Sequence, residues 1–472
     1  MTKATQSSSQ AASFAKRPRI KAGSQKKPAL LPSILCGLGL VAATQSARAN
    51  PLDAFGLGAR APALGSAYAA VADDSAAGYY NPAGLARSGE LRIDLGYQAA
   101  RPALSVSGQR QQLLDTRGLT AGIVLPGRVL GVQMAFGLSL FLPDQHITRI
   151  HVLSHDLPRL HMYDNRTQRF FLAANLAVRL WRGLYVGGGL SFLSRSSGIV
   201  QLKGQIGLTD PAGSTLTSAV AVDLLAVRYP QVGLLWEVTR QLSLALVYRH
   251  RFLLQLEQGF NIDADVADPG REPVVTGGKL RELARSVDLF QPWQLVLGTA
   301  VRLPSVQVSF DLTYSRFSEQ PAPAATFTLD LDIGQLGDLV KLPKSVPYPD
   351  PGFHDLLIPA VGVEWRAIDG AAGDRLALDL RAGYRYEASP VPEQLGESSF
   401  GDADKHIVSC GFGLTLSRLS RSFAKPLSLD GFAAVTMLPL RRFDKSDPRS
   451  PVGDFTVSGT VWQAGGQLRW RL

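Results

Sequence analysis

The sequence predicts an all-β protein, a 14-stranded antiparallel transmembrane β-barrel with a small N-terminal hatch inside its lumen. Three observations lead there. Apolar and polar residues alternate for about 14 to 18 positions in several segments, whereas strands of soluble proteins mostly run about 3–10 residues. Beyond residue 49 no stretch offers the roughly 18 continuous apolar residues of a membrane-spanning helix. Tight links alternate with long connections, as expected when short turns face one side of an outer membrane and long loops the other.

Residues 1–49 read as a secretory signal peptide. Lys3, Lys16, Arg17, Arg19, Lys21, Lys26, Lys27 and Arg48 make them basic, with no acidic residue among them. The apolar run "ALLPSILCGLGLVAA" follows, and Ala47 and Ala49 supply the small-x-small pattern for cleavage after Ala49. Ser33-Ile34-Leu35 fits poorly as the approach to a lipidated Cys36. Without the leader the formal charge of +10 falls by its eight basic residues to +2. The basic balance therefore belongs to targeting and implies no nucleic-acid partner. Cys36 leaves with the leader and Cys410 remains, so neither an intrachain disulfide framework nor a zinc site built from cysteine clusters is available.

Residues 50–90 form the expected hatch. The stretch "GSAYAAVADDSAAGYYNPAGLARSG", Gly65 to Gly89, lacks strand alternation and is too apolar to hang free in the periplasm. Its alanines and glycines permit close backbone packing, and Pro82 fixes a turn after Asn81. A poorly ordered linker is the rival reading of the same residues.

Residues 91–472 supply the barrel. Alternating segments fall near 91–107, 116–125, 128–142, 166–180, 184–197, 223–238, 241–258, 291–303, 305–318, 355–367, 374–388, 404–418, 427–438 and 455–471. In the eleventh, Leu376, Leu378, Leu380, Ala382, Tyr384 and Tyr386 share one face, opposed by Arg375, Asp379, Arg381 and Arg385. In the seventh, Leu242, Leu244, Leu246, Tyr248, Phe252, Leu254 and Leu256 share a face on which His250 is awkward. The expected long loops are Pro143–Asn165, Ile199–Leu216, Gly259–Phe290, Gly334–Phe353 and Pro390–Asp404. Closing such a sheet on itself satisfies every backbone group in lipid.

The stretch Phe55 to Ala86, with Gly65, Ala67, Tyr68, Ala72, Asp73, Asp74, Asn81, Pro82 and Ala83 in a "GxAyxxxADDxxxxxxNPA" pattern, resembles the start of the FadL/OmpP1/TodX family. Members of that family are outer-membrane transporters for long-chain fatty acids and other hydrophobic compounds. "LGVQMAFGLSLFLPD" and "LRAGYRYEASPVPE" extend the resemblance, as does "FDLTYSRFS", in which Phe317 stands where the family carries tryptophan. The resemblance implies a monomeric barrel in contact with outer-membrane lipid and lipopolysaccharide. It also implies an internal hatch and apolar cargo, fatty acids or aromatic hydrocarbons. Release through a lateral opening at a kink in the third strand would fall on Gly131 or Gly137.

No cofactor, metal or catalytic residue is expected. Asp73 and Asp74 are adjacent and have Asn81 as their one obvious companion, too few oxygens for a hard cation. They read instead as anchors of the hatch, bonded to lumen arginines. His146, His151, His155 and His161, with Asp144 and Asp156, decorate the loop after the third strand, where a transition-metal site is the sharper alternative. Gly187–Gly189 lies in an apolar strand without the following helix of a dinucleotide site, and relieves crowding in the wall. Serine and histidine show no spacing that joins them to an acid. A hydrophilic porin and an adhesive or structural barrel remain the rival functions, and a wide polar channel would mark the first.

Overall fold

The computed structural model describes residues 51–87, 89–145, 158–160, 162–163, 169–206, 215–267, 272–273, 275–321, 326–332, 351–369, 376–396, 398–417, 425–448, 450 and 452–472. The leader expected at 1–49 and the histidines of the third outer loop lie outside them.

Fourteen strands pair in chain order around a closed ring. They are β1 (Arg92–Val106), β2 (Thr116–Val129), β3 (Val132–Pro143), β4 (Phe171–Trp181), β5 (Leu184–Ile206), β6 (Thr215–Glu237), β7 (Leu242–Arg249), β8 (Gln294–Arg302), β9 (Val306–Ser315), β10 (Leu356–Ile368), β11 (Leu376–Glu387), β12 (Lys405–Leu416), β13 (Leu427–Phe443) and β14 (Phe455–Arg471). Each is antiparallel to the next, and β14 closes on β1 from Arg92↔Arg471 to Val106↔Val457. No helix among the described residues is long and apolar enough to cross a membrane; the strands do the crossing.

The two-face reading holds on β9 and β11, but not beyond β7: Phe252 and Leu254 are buried, whereas Leu244, Leu246 and Tyr248 of β7 are exposed. On β11, Leu380 and Tyr384 are exposed outward while Arg381 between them is 6% exposed. On β9, Val308 and Phe310 point out, and Ser309 and Asp311 are buried within. Period two puts neighbours on opposite faces, so lipid and lumen select opposite residue types.

Three expectations need correction. The segment 241–258 is not one strand: β7 ends at Arg249, His250 and Arg251 interrupt it, and pairing resumes at Phe252–Val266. Gly259–Phe290 is not a loop, because Phe252–Val266 pairs antiparallel with Val275–Gln291. Ile199–Leu216 likewise continues the β5–β6 ladder up to Gln205↔Thr215. These extensions lie outside the fourteen-strand ring, and Phe252, Leu254, Leu289 and Phe290 of the hairpin are buried in the core instead of facing lipid. A ladder there needs backbone pairing but no hydrophobic alternation, so periodicity does not reveal it.

Inside the ring lies the N-terminal segment: helices α1 (Pro51–Phe55), α2 (Arg60–Ala63) and α3 (Ala77–Tyr80), then a 3-10 turn at Pro82–Arg87. Its backbone and side chains hydrogen-bond to residues of β1, β3, β4, β6, β9, β10, β12 and β14, which encircle it. A second apolar cluster sits above it, built from outer connections and strand ends, including Met162, Tyr163, Phe317, Phe353, Phe400, Phe443 and Phe455. Phe400–Gly401 pairs with Arg159–Leu160 and ties two of those connections together.

Candidate transport site

The small residues of the N-terminal segment are required by how close the wall comes. Gly65 takes φ +63°, and a Cβ on it would lie 2.7 Å from the backbone nitrogen of Tyr384. The facing Gly383 is equally constrained, since a Cβ there would fall 2.0 Å from the Gly65 nitrogen. Gly187, the first of the three consecutive glycines in β5, faces the Pro82–Ala83 backbone at 2.5 Å in the same sense.

The motif is held by defined bonds, although the buried Tyr68 hydroxyl and Asp74 Oδ1 have no hydrogen-bond partner among the described residues. Tyr68 is fully buried; its backbone N–H and that of Ala69 both donate to Asp311 Oδ2 at 2.8 Å. Asn81 Nδ2 donates to the carbonyls of Ala69, 2.9 Å away, and Leu234, 3.2 Å away, while its Oδ1 accepts from Ala83 N–H at 3.1 Å. Pro82 opens the 3-10 turn, and Ala83 is fully buried within it. Asp73 and Asp74 diverge. Asp73 pairs with Arg60 at 2.9 Å, and Asp74 pairs with the wall residue Arg469. Among the described residues no group of three metal-ligating side chains converges.

These ion pairs belong to a larger buried chain of charges. Arg60 bonds Glu364 at 2.8 Å, Arg381 joins Glu364 at 2.6 Å to Asp430 at 2.5 Å, and Arg469 bonds Asp94 at 3.0 Å. The chain links the segment to β1, β10, β11, β13 and β14. Burial works to raise the Asp73 carboxyl, but the Arg60, Arg92 and Arg87 guanidinia outweigh it and hold the group well below the usual carboxylate range. Burial dominates at Asp74 and pushes that carboxyl up against the pull of Arg469.

Above the segment is a cavity with a mostly apolar lining. Leu52, Phe55 and Tyr79 form its floor, Val296, Ile358, Ile407 and Val461 its apolar wall, and Met162 and Phe317 part of its roof. Phe317, the residue standing where the family motif has tryptophan, stacks on Phe290 with ring centroids 5.4 Å apart. A few polar groups face the same space. Arg249 donates to the carbonyls of Tyr79 and Tyr80 and to Gln294, and lies 4.7 Å from the Tyr79 ring centroid. Lys405 is held 3.0 Å from both Glu387 and Asp402. Arg385 gives one N–H to the Asp53 carbonyl at 3.2 Å, and its buried Nε has no partner among the described residues. Burial raises the Asp53 carboxyl, despite Arg249 and the Tyr79 hydroxyl that donates to it.

Sequence reasoning missed these cavity residues. Their signal was available only as phase: Arg249, Gln294 and Arg385 occupy the lumen positions of their strands, but nothing in the sequence says which lumen positions border a space. The third-strand glycines stand apart from the cavity. Gly131 sits in the β2–β3 turn at φ +82°, before β3 begins. Gly137 lies within β3, where a Cβ would meet Leu85 at 2.7 Å. Across its described length β3 pairs with β2 and β4 without a register shift.

A closed 14-strand wall around a packed segment and an apolar cavity is one arrangement among known outer-membrane barrels, and comparison identifies it. The family described as outer membrane protein transport protein (OMPP1/FadL/TodX) matches residues 39–433. The chain belongs to that family. It is an integral outer-membrane protein of a transport family. Solved members share its fold. A Pseudomonas aeruginosa FadL homologue aligns at a TM-score of 0.51 and 14% identity, over 88% of this chain and 97% of that one. The Pseudomonas putida toluene transporter TodX gives a TM-score of 0.51 and 14% identity, over 88% and 98%. No curated protein sequence matches significantly.

Proposed function

We propose that the protein carries hydrophobic small molecules across the outer membrane, through a barrel that Pro51–Arg87 plugs, with release to the side. The observation that carries this reading is the cavity above the N-terminal segment, apolar over most of its lining, with Arg249, Arg385 and Lys405 as its few charged donors. A mostly apolar lining with a few fixed polar groups is the usual form of a small-molecule pocket. A hydrophilic porin would leave a wide polar channel where this chain packs buried alanines and tyrosines. The neighbours named above as a FadL homologue and a toluene transporter support hydrophobic cargo in general.

Long-chain fatty acids are the specific cargo we infer. A carboxylate would find the Arg385 Nε unpartnered at the cavity wall, and the acyl chain would lie along Ile358, Ile407 and Val461. The closed ring needs no second copy, so the working unit is a monomer. Binding of oleate and of toluene to the purified protein tests the reading. Arg385→Gln is expected to weaken oleate at least fivefold and leave toluene unchanged. Equal loss for both, or tight toluene with no oleate binding, would replace fatty acids by aromatic hydrocarbons as cargo.

A further inference from the structure

At the end of the ring that carries the short turns, the lumen face becomes basic. There β1, β4, β8, β10 and β14 place Arg92, Arg179, Arg302, Arg366 and Arg471. Each keeps the phase of buried lumen residues on its own strand. Arg92 shares that of Asp94 and Gln98, Arg302 that of Val296 and Ala300, and Arg471 that of Gln467 and Arg469. The dipeptides Trp365-Arg366 and Trp470-Arg471 display the sorting. Consecutive strand residues point to opposite faces, so each exposed tryptophan goes out to the lipid interface and each arginine into the periplasmic mouth.

The ring is only partly neutralised. Arg366 has Asp379 at 3.1 Å, and Arg92 reaches the Asp73 carbonyl at 2.5 Å and its carboxylate at 3.9 Å. Arg179, Arg302 and Arg471 have no ion-pair partner among the described residues; Arg179 bonds Gln133 at 3.4 Å and Arg302 bonds Gln307 at 3.2 Å. Arg471 stands directly across from Arg92 in the β1–β14 ladder, and like charges so placed destabilise a sheet. Its buried Nε donates to nothing among the described residues, and the same holds for Arg92 Nε and for Arg87 Nη1 at the rim of the plug. Leaving buried donors unmade is costly, and acceptors brought from outside would offset the cost.

We propose that this ring docks an acidic segment of a periplasmic protein, with several carboxylates engaging the arginines at once. The chemistry is the one already held at the mouth: Arg60 holds the Asp73 carboxylate at 2.9 Å, and Arg87 holds that of Glu237 at 2.9 Å. A planar guanidinium matches a carboxylate in geometry as well as charge. The size of the ligand follows from the ring. Strands β8 and β14 lie nearly opposite each other, so one small anion does not reach both Arg302 and Arg471, whereas a chain bearing several carboxylates does. Phase excludes lipid headgroups, which gather on the tryptophan side of the wall. Apolar cargo gains nothing from guanidinium groups, so the ring stands apart from the transport cavity. A mouth lined with one sign of charge concentrates its counter-ions and steers a partner of opposite sign towards it.

The test titrates fluorescent hexaglutamate against the purified full chain in a zwitterionic detergent, with hexaglutamine as the control. Hexaglutamate is expected to bind, more weakly as salt is raised, and hexaglutamine is not. Arg302→Gln with Arg471→Gln should cut the affinity about tenfold, whereas Arg101→Gln with Arg117→Gln, at the outer end of the wall, should leave it unchanged. Absence of hexaglutamate binding, equal binding of hexaglutamine, or equal loss in the two double variants would overturn the site. Displacement of the probe by inorganic phosphate or short-chain phosphatidylglycerol, as readily as by unlabelled hexaglutamate, would assign the ring to a small anion or a lipid headgroup and overturn the acidic segment. Should the Arg302–Arg471 double variant fail to fold, each single variant takes its place, with an expected loss of about threefold. Unchanged affinity in both single variants would count against the proposal.

Discussion

Gly383 has no side chain because none fits: a Cβ would stand 2.0 Å from the backbone nitrogen of Gly65, an atom that cannot rotate away. Gly383→Val is therefore expected to displace the N-terminal segment while the wall still closes. Limited proteolysis would show new cleavage between Phe55 and Ser66, with the heat-modifiable mobility of a folded barrel retained. Asp73 makes a second residue-scale case. Its carboxyl is held below the usual range, so its ion pairs stabilise docking at pH above that range and are lost as pH falls through the depressed value. Hydrogen bonds to charged groups contribute about 1.5–3 kcal/mol each. Asp73→Asn is expected to raise the segment's protease sensitivity about tenfold at pH 7, with a smaller difference from wild type in strong acid. A variant as resistant as wild type at pH 7 would remove Asp73 from the anchoring chain.

At the scale of the element, β11 shows what was legible and why. Lipid outside and a polar lumen inside impose opposite demands on alternate residues, so Leu380 and Arg381 could be assigned to faces from the sequence alone. Arg381 also joins Glu364 to Asp430, a pairing between strands distant in sequence that no periodicity encodes. On the neighbouring β10, Val361 is exposed midway between Trp365 and Leu357, and Val361→Arg should cost about 2–4 kcal/mol near the bilayer midplane and impair insertion into vesicles. Arg381→Gln should insert and then lose about 3–5 kcal/mol of stability, because it strips a buried ion pair of one partner. Thermal melts of both variants after insertion separate the two effects; an Arg381→Gln variant that fails to insert would reverse the assigned faces. Illegible elements are those outside the lipid-facing ring. The hairpin of Phe252–Val266 with Val275–Gln291 has no lipid to enforce alternation, and the break before it left a local trace in His250. The motif around Asp73 and Asn81 was visible as residue types, whereas the cavity gathers residues from strands far apart in the chain.

Across the whole molecule, the exposed aromatics mark how the barrel sits. Trp181, Trp236, Trp365 and Trp470 lie outward near the ends of β4, β6, β10 and β14, on the side of the short turns. Tyr248, Trp293 and Tyr314 form a cluster at the other end, with successive ring centroids 6.3 and 5.2 Å apart. Such girdles flank the apolar band of outer-membrane barrels, and the stretch Val306–Tyr314 between them matches the about 9–11 residues of a tilted membrane strand. On the proposed reading the N-terminal segment plugs the lumen across that band, so that water-soluble solutes are stopped by its packed residues and an apolar molecule enters the cavity. Uptake of labelled oleate and of a small sugar, in cells carrying matched surface amounts of the intact protein or of a form lacking Pro51–Arg87, tests this account most directly. The account predicts saturable oleate uptake with negligible sugar flux for the intact protein, and sugar leakage with weakened selective uptake once the segment is gone. Rapid sugar flux through the intact protein without saturable oleate uptake would contradict it and establish a porin.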